Sequence, residues 1–258
     1  MPRAVFVLVA LVVSGCVGAG CHRGPREEQR ASGAPPTPPP APPPPPPPMM
    51  EEVAVAGDLP AYALRNGRAH GRLYVFLAGM CAHPLGYTQS FQWAAAARGD
   101  LVAVQGDVPC SADGALRRWS SDLIGTSRRI DAAIRAAGLD ATREIVLIGY
   151  SQGAERSEHL AARWPDRYTR AVLIAGPIVP SPERLGRLRG AVLMAGDRDL
   201  QQPMLEGRRR LAAARVPALF VSLPGARHGD MGQTPEANMA TAFDFLDQVP
   251  PSSPVAPP

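Results

Sequence analysis

The chain has 258 residues, 45% hydrophobic and 19% charged, which is enough for one domain with a full core and not evidently enough for two. Its formal charge of +4 comes entirely from arginine, since the sequence has no lysine, and the arginines alternate with acidic residues, as in RRIDAAIRAAGLDATRE. No basic stripe with interleaved aromatics results, which argues against nucleic acid as a partner.

Residues 1–16, MPRAVFVLVALVVSGC, start basic, continue in an apolar run from Ala4 to Val13, and end in small residues before Cys16. The run is too short to span a bilayer and has the layout of a secretory signal. VSGC resembles a bacterial lipobox, which implies a signal peptide over 1–15 and lipidation of Cys16 as the mature N-terminus. Cys21, in GAGC, is a weaker anchor because Gly18 stands where an aliphatic residue is usual. The competing reading is ordinary cleavage near Ala19–Gly20 without a lipid. Valine, not aspartate, follows Cys16, which in lipoproteins implies the outer membrane if the cell is Gram-negative. The membrane is then a partner through the lipid only.

Residues 16–51 are expected to be a disordered tether. Twelve of the 30 prolines fall within residues 35–48, PPTPPPAPPPPPPP. Proline lacks the N–H and fixes φ, so this run predicts a polyproline II spacer, at ~3.1 Å per residue roughly 43 Å long. It reads as a stalk, with a ligand for a proline-recognising partner as the alternative. The folded domain is expected over 52–249 and a second disordered tail over 250–258.

Within that domain short apolar runs recur: RLYVFLAG (72–79), LVAVQG (101–106), EIVLIG (144–149), AVLIAG (171–176), AVLMAG (191–196) and ALFVSL (218–223). Continuous apolar runs of this length suit strands buried on both faces of a parallel sheet. Between them, 88–98, 121–137, 152–163, 203–215 and 235–248 predict helices, and residues 53–64 supply an earlier strand or two. The alternation predicts an α/β fold, a doubly wound, mostly parallel sheet with helices on both faces. Active sites in such sheets collect at the carboxyl ends of the strands.

G-Y-S-Q-G, residues 149–153, sits between the strand REIVLIG and the helix AERSEHLAARW. A G-x-S-x-G is too short to mean much alone, but strand–turn–helix is the setting a nucleophile elbow requires. A serine hydroxyl is a poor nucleophile at neutral pH, so Ser151 needs a base and a group to orient that base. Downstream, GAVLMAGDRD places Asp197 and Asp199 at the end of one strand, and ALFVSLPGARHGDMG carries His228 after the next. The order Ser, acid, His is that of the α/β-hydrolases.

On these residues the chain resembles the α/β-hydrolase superfamily over about residues 70–248, near the phospholipase/carboxylesterase and dienelactone-hydrolase branches. The cutinase elbow is similar too, but GDRDLQQP lacks the cysteine that cutinases place after the acid. The resemblance implies Ser151, Asp199 and His228 as the catalytic triad, because the acid there ends a G-x-x-D, which selects Asp199 over Asp197. Oxyanion donors would be the backbone N–H groups of Met80 and Gln152. Trp119, in RRWSSD, would be a substrate contact, with packing beneath a loop as the alternative. Relatives often carry His-Gly after the third strand, where this chain has Ala78-Gly79.

In that fold the strands before Cys81 and Cys110 are neighbours, so a Cys81–Cys110 disulfide is expected in a secreted compartment. The short segment between 176 and 191 leaves no room for a cap domain, so the serine should be open to solvent. His70, His83 and His159 lack metal-ligand spacing and read as structural or exposed; neither a metal nor a cofactor is expected. The expected protein is a monomeric, lipid-anchored envelope hydrolase of small-molecule or lipid-like esters or thioesters. A peptidase or polyester depolymerase on the same triad, and a non-catalytic binding protein on the same scaffold, are the alternatives.

Overall fold

The computed structural model describes residues 48–67 and 71–249, all within one compact unit of the chain. The expected signal peptide, Cys16, Cys21, most of the tether, His70 and the tail lie outside the described residues.

In chain order the elements are β1 (Glu51–Val53), β2 (Ala61–Leu64), β3 (Arg72–Leu77), α1 (Pro84–Gln89), α2 (Gln92–Ala96), β4 (Gly99–Val104), β5 (Val108–Pro109), β6 (Arg117–Arg118) and α3 (Leu123–Ala136). The chain continues through β7 (Ile145–Tyr150), α4 (Gln152–Arg163), β8 (Tyr168–Ile174), α5 (Pro182–Leu185), β9 (Gly190–Gly196), α6 (Gln202–Ala213), β10 (Ala218–Leu223) and α7 (Pro235–Gln248). Eight strands form one sheet in the order β1-β2-β4-β3-β7-β8-β9-β10. The β1/β2 and β2/β4 junctions are antiparallel and the others parallel.

Side chains alternate across a strand, so β3 sends Leu73, Val75 and Leu77 into one core and Tyr74 and Phe76 into the other. Ile130 and Ile134 of α3, Leu160 of α4 and Leu211 of α6 close the first core. Phe91, Ala94 and Ala95 around α2, with Met239, Phe243 and Leu246 of α7, close the second. All six residues of β7 are buried, as a central parallel strand requires.

Several features differ from the sequence reading, among them two elements and the start of the domain. The helix expected over 88–98 is two short ones, because Phe91 leaves helical geometry and buries its ring against Phe76, 6.0 Å between centroids. The strand expected from 171 begins at Tyr168 and so includes Arg170, which is buried. Its guanidinium donates to the carbonyls of Leu246 and Val249, both at 3.1 Å, at the end of α7, where carbonyls lack intrahelical donors. The domain also begins one residue earlier than expected, because Glu51 already pairs with Ala63.

Residues 175–189 between β8 and β9 hold only the four-residue α5. The carboxyl end of the sheet is thus left uncovered at that crossover.

Candidate active site

Ser151 follows the last residue of β7 and precedes the first of α4, with φ 51° and ψ −117°, backbone a non-glycine residue rarely adopts. Its N–H donates to Ile174 at 2.8 Å, which locks the turn to β8. The turn needs its glycines. A Cβ at Gly149 would lie 2.3 Å from the Gly153 carbonyl oxygen, and one at Gly153 2.0 Å from that of Leu77. Either methyl group would force strand and helix apart.

The loop from β10 to α7 carries His228, whose Nε2 lies 3.0 Å from Ser151 Oγ. Its Nδ1 lies 2.9 Å from Asp199 Oδ2, and the other oxygen of Asp199 accepts the Leu200 N–H at 2.7 Å. The Asp199 side chain is 13% exposed and that of His228 54%, so the acid is screened while the imidazole faces solvent. A carboxylate at Nδ1 selects the tautomer that leaves the Nε2 lone pair facing the hydroxyl. Asp197 does not reach the imidazole; its Oδ1 accepts the Gly225 N–H at 2.8 Å and so fastens the start of the same loop.

Gln152 is the first residue of α4, so its N–H has no intrahelical acceptor and stands beside the nucleophile. The loop after β3 passes over the same spot: a Cβ at Gly79 would lie 3.3 Å from Ser151 Cβ. Met80 follows directly, with an exposed side chain. The structure thus brings the backbone at 79 and 152 to Ser151.

Trp119 packs beneath the loop after β3, the alternative to the expected substrate contact, and it also lines, with Gln152, a cavity of about 290 Å³. The tryptophan is 2% exposed, and its Nε1–H donates to the Ala78 carbonyl at 2.8 Å. With its one polar atom satisfied by the Ala78 carbonyl, the indole anchors the loop after β3. Gln152 completes this anchor. Its side-chain Oε1 accepts the Trp119 N–H at 3.0 Å and its Nε2 donates to the Trp119 carbonyl at 3.2 Å. The sequence reading gave Gln152 a backbone role only; a primary amide offers the donor and acceptor that pair with one residue's backbone, and nothing in the spacing said which residue.

Cys81 and Cys110 form a disulfide with Cα atoms 5.4 Å apart, closing a separation of 29 residues. Beside it Ala82 N–H donates to Arg117 at 3.2 Å, so the loop carrying Met80 is tied to the β5–β6 hairpin by a covalent bond and a bridge. His83 caps α1: Nδ1 accepts the Leu85 N–H at 3.3 Å, and Nε2 lies 3.0 Å from the Tyr62 hydroxyl. Burial pushes its pKa down. Burial does the same for His159 on α4. Among the described residues no group of three or more His, Cys, Asp or Glu side chains is placed to hold a metal ion.

No protein-family model matches the chain, and no curated protein matches it. Solved structures do. The serine hydrolase FphF of Staphylococcus aureus, a fluorophosphonate-binding protein, superposes with a TM-score of 0.57 at 12% identity, over 78% of this chain and 99% of its own. Carboxylesterase CesB of Bacillus subtilis gives 0.54 at 14%, over 78% and 92%. A protein assigned as a dipeptidyl aminopeptidase IV from Bacteroides ovatus gives 0.53 at 15%, over 78% of this chain and 36% of its own. Likeness at such identities speaks to architecture, and with the parallel sheet and the turn at Ser151 it leads to one statement: the chain has the α/β-hydrolase fold.

Proposed function

We propose that the protein is a serine hydrolase that cleaves carboxylic esters or thioesters through an acyl-enzyme. The observation that carries the reading is the continuous hydrogen-bonded chain from Ser151 Oγ through His228 to Asp199, starting on a strained turn at the carboxyl edge of the sheet.

In this reading His228 Nε2 takes the hydroxyl proton as Ser151 Oγ attacks the carbonyl carbon. Asp199 holds the ring and offsets the charge of the imidazolium. The N–H groups of Met80 and Gln152 receive the oxyanion, each such donor contributing about 3 kcal/mol to the transition state. The imidazolium protonates the leaving alcohol or thiol. Water, deprotonated by the same nitrogen, then hydrolyses the acyl-enzyme and regenerates the serine. The 54% exposure of His228 and the short β8–β9 crossover favour accessible esters over a sequestered substrate.

The lipid on Cys16 and the proline-rich stalk complete the proposal, holding the domain at the envelope; mass spectrometry of the membrane fraction should find diacylglycerol on Cys16. Turnover of p-nitrophenyl acetate and butyrate tests the chemistry. Ser151→Ala should lower kcat/KM by on the order of 10⁴-fold. Equal turnover by the variant and the parent would instead leave a binding protein on a hydrolase scaffold.

A further inference from the structure

Tyr150 adjoins Ser151, and Gly229 adjoins His228; the two are joined directly. The Gly229 N–H donates to the Tyr150 hydroxyl at 2.7 Å. The Gly229 carbonyl accepts from the Tyr87 hydroxyl at 3.1 Å, so both polar groups of this one residue are held by phenols. The two rings pack at a tilt, 4.8 Å between centroids, and the Tyr150 ring lies 5.8 Å from the His228 imidazole. Gly229 has φ +105°, a sharp turn made immediately after the base.

Besides the phenols, the turn is held by His228 through Asp199 and Ser151, and at its start by the Arg198 N–H, which donates to the Ala226 carbonyl at 3.0 Å. Residues 227–230 are exposed. The bonds from Arg227 N–H to the Asp230 carboxylate and from Asp230 N–H to the Arg227 carbonyl are internal to the loop. Behind it lies a cavity of about 330 Å³ lined by Tyr87, Gly229, Asp230 and Met231 among others, so the loop has room to shift. Tyr150 is buried at the end of the interior strand β7, with its hydroxyl pKa pushed up to about 12, chiefly by burial. It therefore acts throughout the neutral range as a protonated phenol, accepting from Gly229 while donating weakly to the Asp230 carbonyl at 3.4 Å.

We infer that Tyr150 and Tyr87 are positioning residues that clamp the His228 loop in register with Ser151. The inference rests on the proposed hydrolase reading. Phenylalanine at 150 would keep the packing, remove the acceptor, and leave the Gly229 N–H facing an apolar ring, so that the loop relaxes toward the cavity. An imidazole displaced by a fraction of an ångström from the serine is enough to slow proton transfer.

The test compares Tyr150→Phe and Tyr87→Phe with Tyr168→Phe, a control that loses a phenol bonded to Ser127 at 3.0 Å on another strand. We expect kcat per fluorophosphonate-titrated site to fall on the order of 10-fold for Tyr150→Phe and less for Tyr87→Phe, with KM within about two-fold and Tm nearly unchanged. The control should match the parent. In parallel, the His228 Cε1–H NMR resonance, assigned by its loss in His228→Gln, should move or broaden in the two clamp variants and stay in place in the control. An unchanged kcat together with an unchanged His228 resonance in Tyr150→Phe overturns the clamp. If that variant folds poorly, Tyr87→Phe decides by the same two readouts. Should the parent turn over no faster than Ser151→Ala, the hydrolase reading fails, and the NMR comparison still decides whether the phenols hold the imidazole.

Discussion

Asp199 meets the His228 ring at 2.9 Å, whereas Asp197, two residues earlier on the same strand end, turns to the Gly225 backbone. Two carboxylates of one G-D-R-D segment thus serve one loop in different ways, one at the imidazole and the other at the backbone. Asp199→Asn should lower kcat on the order of 10⁴-fold, because an amide no longer selects the tautomer that leaves Nε2 free to accept. Asp197→Asn keeps an oxygen for the Gly225 N–H and should change kcat by less than about three-fold. Steady-state kinetics of the pair separates the roles.

Trp119 supports the site from inside the core. Trp119→Phe removes the donor to Ala78 and leaves a buried carbonyl unpaired, which should cost about 1–3 kcal/mol and lower Tm by on the order of 5 °C. KM for p-nitrophenyl acetate should stay within about two-fold, as expected of a residue that packs beneath a loop. Thermal denaturation run alongside kinetics checks both halves.

The disulfide joins two loops at the same edge of the sheet. Its separation of 29 residues corresponds, in the chain-entropy account, to about 3–4 kcal/mol. The double variant Cys81→Ser, Cys110→Ser should lose that much in a urea titration of the folded protein, compared with the oxidised parent.

His83 adds an acid-side dependence. Burial lowers its pKa, and its neutral Nδ1 accepts the Leu85 N–H that begins α1. The folded state favours the neutral ring, so this contribution to stability is present above the ordinary imidazole range and is lost as pH falls through the lowered value. His83→Asn keeps a capping acceptor without a titrating group. Its denaturation midpoint should fall less between pH 7.5 and pH 5 than that of the parent.

Much of this architecture was legible because it follows from burial and period. Central strands such as β7 are continuous apolar runs, and G-Y-S-Q-G between a strand and a helix defines its own turn. That an aspartate pair and His228 follow successive strands was legible from the chain order, and the preference for Asp199 over Asp197 came from the resemblance alone. What escaped depends on single side chains choosing among partners far along the chain. Phe91 breaks a helix by entering the core, and Arg170 extends a strand by reaching the carbonyls of α7. Trp119 spends its N–H on Ala78. The hydroxyl that distinguishes Tyr150 from a phenylalanine was visible as a residue type, but its partner lies 79 positions away. The β5–β6 pairing spans two residues per strand, too few for any period to emerge.

The account depends on Ser151 having a hydroxyl activated by its neighbours, and covalent labelling measures that directly. Intact-protein mass spectrometry after a fluorophosphonate probe should show one adduct per chain, mapped by peptide analysis to Ser151, with Ser151→Ala unlabelled and His228→Gln labelled far more slowly. No adduct on the folded parent protein, or equal labelling of Ser151→Ala, would contradict it.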